Sequence, residues 1–170
     1  EVLEVDFDDF LMNGTLPQCD HLFICLGTTI KKAGSQAAFK KIDFDYGLGF
    51  AQKARAAGAT GVSLVSSVGA DSKSKNFYLR TKGQLEEAIQ QLGFSSVSIY
   101  RPGLLVGVRE EKRTAEKLGQ TLVKFVDPLL IGSLSRYRSI SAKRLAKTMV
   151  DRVAGETGVR TFHFRDFNSD

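Results

Sequence analysis

Cysteine, histidine and proline are scarce in this chain, and long apolar runs are missing. Its 170 residues hold two cysteines, Cys19 and Cys25, two histidines and three prolines. Two cysteines are too few for the disulfide framework of a small secreted scaffold. Cys25 reads as a small core residue and Cys19 as a loop thiol. His21 and His163 are far apart in sequence beside apolar segments, so they offer no metal-ligand spacing. No apolar run approaches the roughly 20 residues needed to cross a bilayer, and the acidic opening Glu1-Val2-Leu3-Glu4 is the opposite of a basic signal start. No Gly-x-Ser-x-Gly elbow occurs, since Val65 stands where its first glycine belongs, and no Gly-x-x-x-x-Gly-Lys-Ser/Thr loop occurs either. Secreted, membrane-spanning and disordered classes are excluded, hydrolase and P-loop readings have no support, and the expected compartment is the cytoplasm.

What is present describes one domain, 1–170, with no repeat, low-complexity tract or linker to divide it. A chain of this size can bury about 70% of the surface that its unfolded form exposes, enough for a core without a metal or disulfide staple. The net charge of +5 is spread in pairs such as Lys31-Lys32 and Lys40-Lys41, not interleaved with aromatics, so no nucleic-acid partner is expected. Short apolar runs alternate with segments of helical period. Val2 to Val5, His21 to Leu26, Gly61 to Val65, Val97 to Tyr100 and Thr161 to Phe164 read as strands, the second as one buried on both faces. Asp43 to Ala57, Phe77 to Leu92, Thr114 to Val126 and Ser141 to Val153 read as helices, with Gly93 as a C-terminal cap and Ser141 as an N-cap. Asp8 or Asp9 reads as another N-cap rather than as part of a Mg²⁺ cluster. The alternation predicts an α/β fold, a doubly wound parallel sheet with helices on both faces.

In such sheets ligands bind beyond the carboxyl ends of the strands. Three predicted strands end in Gly27-Thr28-Thr29, Ser66-Ser67-Val68-Gly69 and Arg101-Pro102-Gly103, small or polar residues suited to a close ligand approach. Tyr78 and Lys82 are four residues apart, which on a helix places them on one face. A lysine ammonium beside a phenol favours the phenolate and makes it usable as an acid or base near neutral pH. Ser67 could hold a carbonyl oxygen in place beside them.

Strand, Ser-Ser-x-Gly, Tyr-x-x-x-Lys, strand, Arg-Pro-Gly is similar to the short-chain dehydrogenase/reductase superfamily. The strings Cys25-Leu26-Gly27-Thr28-Thr29, Lys32-Ala33-Gly34-Ser35, Ser66-Ser67-Val68-Gly69-Ala70-Asp71, Lys82-Gly83 and Arg101-Pro102-Gly103 resemble its atypical branch, that of the Tat-interactive protein and related bacterial oxidoreductase-like proteins. The resemblance runs from about Val5 to Ala146. It implies an NAD(P)-binding Rossmann fold and hydride transfer between a nicotinamide cofactor, NADP or NAD with NADPH slightly preferred, and a small carbonyl or alcohol. It further implies that Asp6 and Phe7, at the end of the first strand, lie beside the adenine. Leu26, Gly27, Thr28 and Ser66 would line the cofactor, and Pro102, Gly103 and Leu104 would cover the nicotinamide. Ser67 would orient the substrate carbonyl, Tyr78 exchange the proton, and Lys82 hold the nicotinamide ribose. The run Arg109-Glu110-Glu111-Lys112-Arg113, where such proteins close over substrate, reads as a mixed-charge mobile loop, the lesser alternative being that Arg109 or Arg113 meets an anionic group.

Two features depart from that pattern. Asparagine stands only at 13, 76 and 168, so the proton-relay asparagine of the superfamily has no counterpart. No glycine-rich phosphate loop follows the first predicted strand, and Tyr46-Gly47-Leu48-Gly49 lies inside a helical pattern. In a sheet ordered 3-2-1-4-5-6 the strand at Val2 to Val5 then corresponds to strand 3 and that at Leu22 to Leu26 to strand 4. The expectation is a chain lacking the first strand-helix-strand unit, with roughly 40 to 60 further residues upstream. Two functions follow from the resemblance: an NAD(P)-dependent oxidoreductase, or a non-catalytic, cofactor-sensing regulator that docks a protein partner, with a homodimer open in either case.

Overall fold

A computed structural model describes residues 2–106, 127, 130–153 and 157–167. Four short strands rich in β-branched residues, β1 (His21–Ile24), β2 (Gly61–Val65), β3 (Ser96–Tyr100) and, further on, β6 (Gly158–Phe162), form one sheet in the order β1-β2-β3-β6. Every pairing is parallel, with Leu22 opposite Val62, Val62 opposite Val97 and Val97 opposite Val159. Parallel neighbours need long crossovers, and helices supply them. Helix α1 (Phe7–Asn13) precedes β1; α2 (Ile30–Ala33), α3 (Gln36–Lys40) and α4 (Tyr46–Ala56) connect β1 to β2; α5 (Phe77–Gln90) connects β2 to β3. After β3 come a two-residue strand β4 (Leu105–Val106), a 3₁₀ turn (Gly132–Tyr137), β5 (Ile140–Ser141) paired with β4, and α6 (Ala142–Asp151).

Strand alternation divides the core into two layers. Val62, Leu64, Val97 and Ile99 pack with Ala51 and Ala54 of α4 and Leu85 and Ile89 of α5. On the opposite side Tyr100 and Phe162 pack with Leu145 and Met149 of α6. Full burial of a leucine or isoleucine such as Leu85 or Ile89 contributes about 1.5–3 kcal/mol. The sheet is therefore covered on both faces, as the alternation of elements predicts.

Several local expectations change. Residues 2–6 form no strand, and Val2, Leu3 and Val5 are exposed, because no described segment offers a ladder to pair with. Among the described residues β1 is the outermost strand on its side of the sheet, and Phe23 there is 42% exposed. The cap of α1 is Asp6, which accepts from the Asp9 amide at 3.0 Å, whereas Asp8 pairs with Lys41 at 2.6 Å. Cys25 is exposed at the end of β1, and Cys19 is the thiol packed against the core. The helix expected from Asp43 begins at Gln36 and passes through a π-helical turn, Lys41–Asp45, before α4. The last strand starts three residues earlier than expected and ends two earlier, at Gly158–Phe162. Ser141 caps α6 as expected, and Gly93 turns the chain after α5 with φ +73°. The expected helix over Thr114 to Val126 and the loop carrying Arg109 and Arg113 lie outside the described residues.

Candidate active site

Helix α5 starts at Asn76, whose side chain accepts from the Leu79 amide at 3.2 Å. Its period sets Tyr78, Lys82 and Glu86 on one face at steps of four, and that face meets the carboxyl ends of β1, β2 and β3. Lys82 is buried with its Nζ 2.6 Å from Asp43 Oδ1, the two side chains 5% and 0% exposed. Asp43 Oδ2 accepts from the Thr28 amide at 2.8 Å. Oδ1 meets the ammonium as an ion pair and accepts no aligned hydrogen bond from any described residue. Gly27 is exposed directly above this pair: a Cβ there would stand 3.6 Å from Asp43 Oδ1 and 3.7 Å from Lys82 Nζ. Glycine thus leaves the ion pair about one methyl group from the open rim.

One turn further along α5, buried Glu86 ties the next two strand ends together. It accepts from the Ser66 hydroxyl and takes Arg101 in a bidentate grip, Nε at 3.0 Å and Nη2 at 2.5 Å. Glu86 in turn holds the Arg101 guanidinium above its ordinary range. The Ser66 hydroxyl is therefore taken up by this brace. Its neighbour Ser67 is half-buried, and its hydroxyl makes only a long 3.4 Å contact with the Val68 carbonyl oxygen. The Val68 amide donates to Pro102 at 2.9 Å, which sets Ser67 beside the Arg-Pro-Gly turn. Tyr78 is half-buried with its ring 5.6 Å from that of Phe39, and its hydroxyl hydrogen-bonds to no described residue.

The structure thus brings Gly27, Thr28 and Lys82 together through Asp43, and Ser66 and Arg101 together through Glu86. Leu26 is half-buried against the core, Pro102 is buried and Leu104 is half exposed. Gly103 permits a close pass, since a Cβ would fall 2.6 Å from the carbonyl oxygens of Tyr137 and Arg138. Asp6 and Phe7 are elsewhere. They open α1, which packs on α4, and the Phe7 ring lies edge-on to Tyr46 and Phe50 at 5.2 and 5.0 Å. The strand end from which an adenine contact was drawn does not form.

Sequence reasoning missed Asp43 and Glu86. For Glu86 a signal existed, its spacing of four from Lys82 and eight from Tyr78. For Asp43 the signal was weaker: a carboxylate four residues from buried Phe39 and four from buried Gly47, on the inward face of its helix.

No family model matches the chain. It is 43% identical over 98 residues to the rat protein HTATIP2, covering 58% of this chain and 40% of that protein. It is 37% identical over 126 residues to the mitochondrial protein FMP52 of Candida albicans, covering 74% of this chain and 54% of the relative. Among solved structures, RMD from Pseudomonas aeruginosa complexed with NADPH superimposes with a TM-score of 0.67 at 17% identity, covering 95% of this chain and 66% of that one. The human epimerase family protein SDR39U1 with NADPH superimposes with a TM-score of 0.63, also at 17% identity, covering 94% and 61%. The chain thus shares the fold of these NADPH-bound proteins and resembles HTATIP2 and FMP52 in sequence. It spans about half the length, or less, of the curated relatives it matches. No helix among the described residues is long and apolar enough to cross a membrane.

Proposed function

We propose that this chain carries the catalytic face of an NAD(P)-dependent oxidoreductase that interconverts a carbonyl and an alcohol. The observation that carries the reading is the order along the rim: a Ser67 hydroxyl after β2 held only by a long contact to Val68, a Tyr78 hydroxyl on α5 with no hydrogen-bond partner among the described residues, and a Lys82 ammonium fixed one turn later beside Gly27. Residues 1–170 are taken as part of one nucleotide-binding domain. The residues present fit the nicotinamide-ribose half of a dinucleotide. Gly27 offers backbone without a side chain, and Lys82 keeps N–H donors beyond its ion pair for ribose hydroxyls. RMD and SDR39U1, which share the fold, were crystallised with NADPH, which supports this assignment. When bound, the nicotinamide supplies or accepts the hydride. Ser67 then donates a hydrogen bond to the substrate oxygen, Tyr78 gives that oxygen its proton in reduction and takes it back in oxidation, and Lys82 stabilises the phenolate left behind.

Tyr78→Phe in the full-length protein is expected to lower turnover at least about 100-fold while NADPH affinity, read by fluorescence titration, stays within about twofold. A cofactor-saturated wild-type protein without turnover on a broad carbonyl panel would overturn the catalytic reading in favour of a cofactor-sensing regulator. The cytoplasm is the compartment we assign, and fractionation with mitochondria, the location in the names of the FMP52 relatives, would correct it.

A further inference from the structure

Two helices face each other across the site in matched steps. On α5, Tyr78 and Lys82 are four residues apart; on the opposite helix, so are Phe39 and Asp43. Phe39, fully buried, backs the Tyr78 ring at 5.6 Å, and Asp43 backs the Lys82 ammonium at 2.6 Å. A third step follows, where Gly47 lies against Leu85, a Cβ there falling 3.1 Å from the leucine Cδ2. The middle step is the unusual one. An ion pair with both partners this deeply buried seldom adds net stability, because desolvating two charges offsets their attraction. Apolar residues would fill the same volume at least as well.

What the pair does accomplish is fixation. A lysine ammonium sits on a flexible four-carbon stem, and ordering that stem costs rotamer entropy. Asp43 is itself held at two points: its Oδ2 by the Thr28 amide, and its backbone by the π-helical turn Lys41–Asp45 that departs from the α-helical register on either side. Inserted π turns of this kind recur where a helix must aim a functional group. Lys82, by contrast, has no partner besides Asp43 among the described residues, which leaves N–H groups beyond the ion pair.

We propose that Asp43 is the positioning residue of this site, anchoring the Lys82 ammonium beneath Gly27 so that its remaining N–H groups are presented to the vicinal hydroxyls of a ribose. The proposal rests on the oxidoreductase reading and deepens it. Asp43 touches neither ligand nor substrate and acts through Lys82 alone. Thr28 and Gly27 complete the device, the first by its amide and the second by having no side chain.

The test is NADPH titration of the full-length protein carrying Asp43→Asn, Lys82→Met, or both. Asparagine keeps the shape and an acceptor for the Thr28 amide but not the charge. Expected is about tenfold weaker NADPH binding for Asp43→Asn at a temperature where circular dichroism shows native helix content, and no further weakening when it is added to Lys82→Met. A merely structural aspartate would leave affinity per folded molecule unchanged, or its loss would multiply with that of Lys82→Met; either result overturns the proposal. Should Asp43→Asn not fold, Asp43→Glu, which keeps the charge but shifts the carboxylate by a methylene, carries the same expectation. Wild-type protein that does not bind NADPH would overturn the functional reading and this proposal together, whereas normal binding by Asp43→Asn overturns this proposal alone.

Discussion

At Gly83 the backbone of Asp71 and Ser72 crosses α5 so closely that a Cβ would collide with the Ser72 amide nitrogen. Replacing a mid-helix glycine with alanine ordinarily stabilises a helix by about 0.5–1 kcal/mol. Here the colliding atoms are backbone and have nowhere to go, so Gly83→Ala is expected to destabilise by about 1–3 kcal/mol in urea unfolding. A gain in stability would show that the Asp71–Ser72 turn does not lie on the helix. The string Lys82-Gly83 was legible as part of a resemblance, but the reason for its glycine was not, since the turn that presses on it is eleven residues away. Asp43 shows the same limit. A carboxylate within a helical pattern reads as surface until the fold brings Lys82, from a different crossover, to 2.6 Å. Ser66 and Ser67 are indistinguishable as a sequence pair, and only the position of Glu86 separates the braced hydroxyl from the loosely held one.

Among the elements, α5 was the most legible, because its apolar spacing, its Tyr-x-x-x-Lys face and its terminal glycine agree on one helix. Its start depends on Asn76, whose side chain caps the turn that carries Tyr78. Asn76→Ala is expected to cost about 1 kcal/mol of stability. Its more specific mark is faster hydrogen exchange at the amides of 77–81 than at those of 85–89, since fraying is confined to the first turn. Equal acceleration along the helix would show that the cap is not what holds Tyr78. The helix facing α5 was half legible. Its α4 portion follows the apolar period, but the π turn carries no periodic signature in composition and moved the expected start by seven residues. Val2 to Val5 failed as a strand for a related reason: β character is realised only against a partner, and no described segment provides one.

On the scale of the whole molecule, both histidines link folding to pH. Burial pulls His21 below the ordinary 6.5, and burial followed by the nearby Arg101 charge does the same to His163. A histidine lowered in the folded state leaves the unfolded chain binding more protons as pH falls, so stability is intact above 6.5 and declines as pH drops below it. Thermal melts from pH 8 to pH 5 are expected to show that decline, with His21→Gln reducing its slope; a flat profile would contradict the burial of both rings. The sequence by itself determined the fold class, the sequential strand-helix order from His21 onward and the placing of Tyr78 and Lys82 on one helix face, because hydrophobic period and short-range spacing are local properties written into neighbouring residues. Tertiary structure alone decided that Asp43 holds Lys82 and that Glu86 joins Ser66 to Arg101. Those are pairings between separate crossovers, and burial and charge at such distances come into being only when the chain has closed on itself.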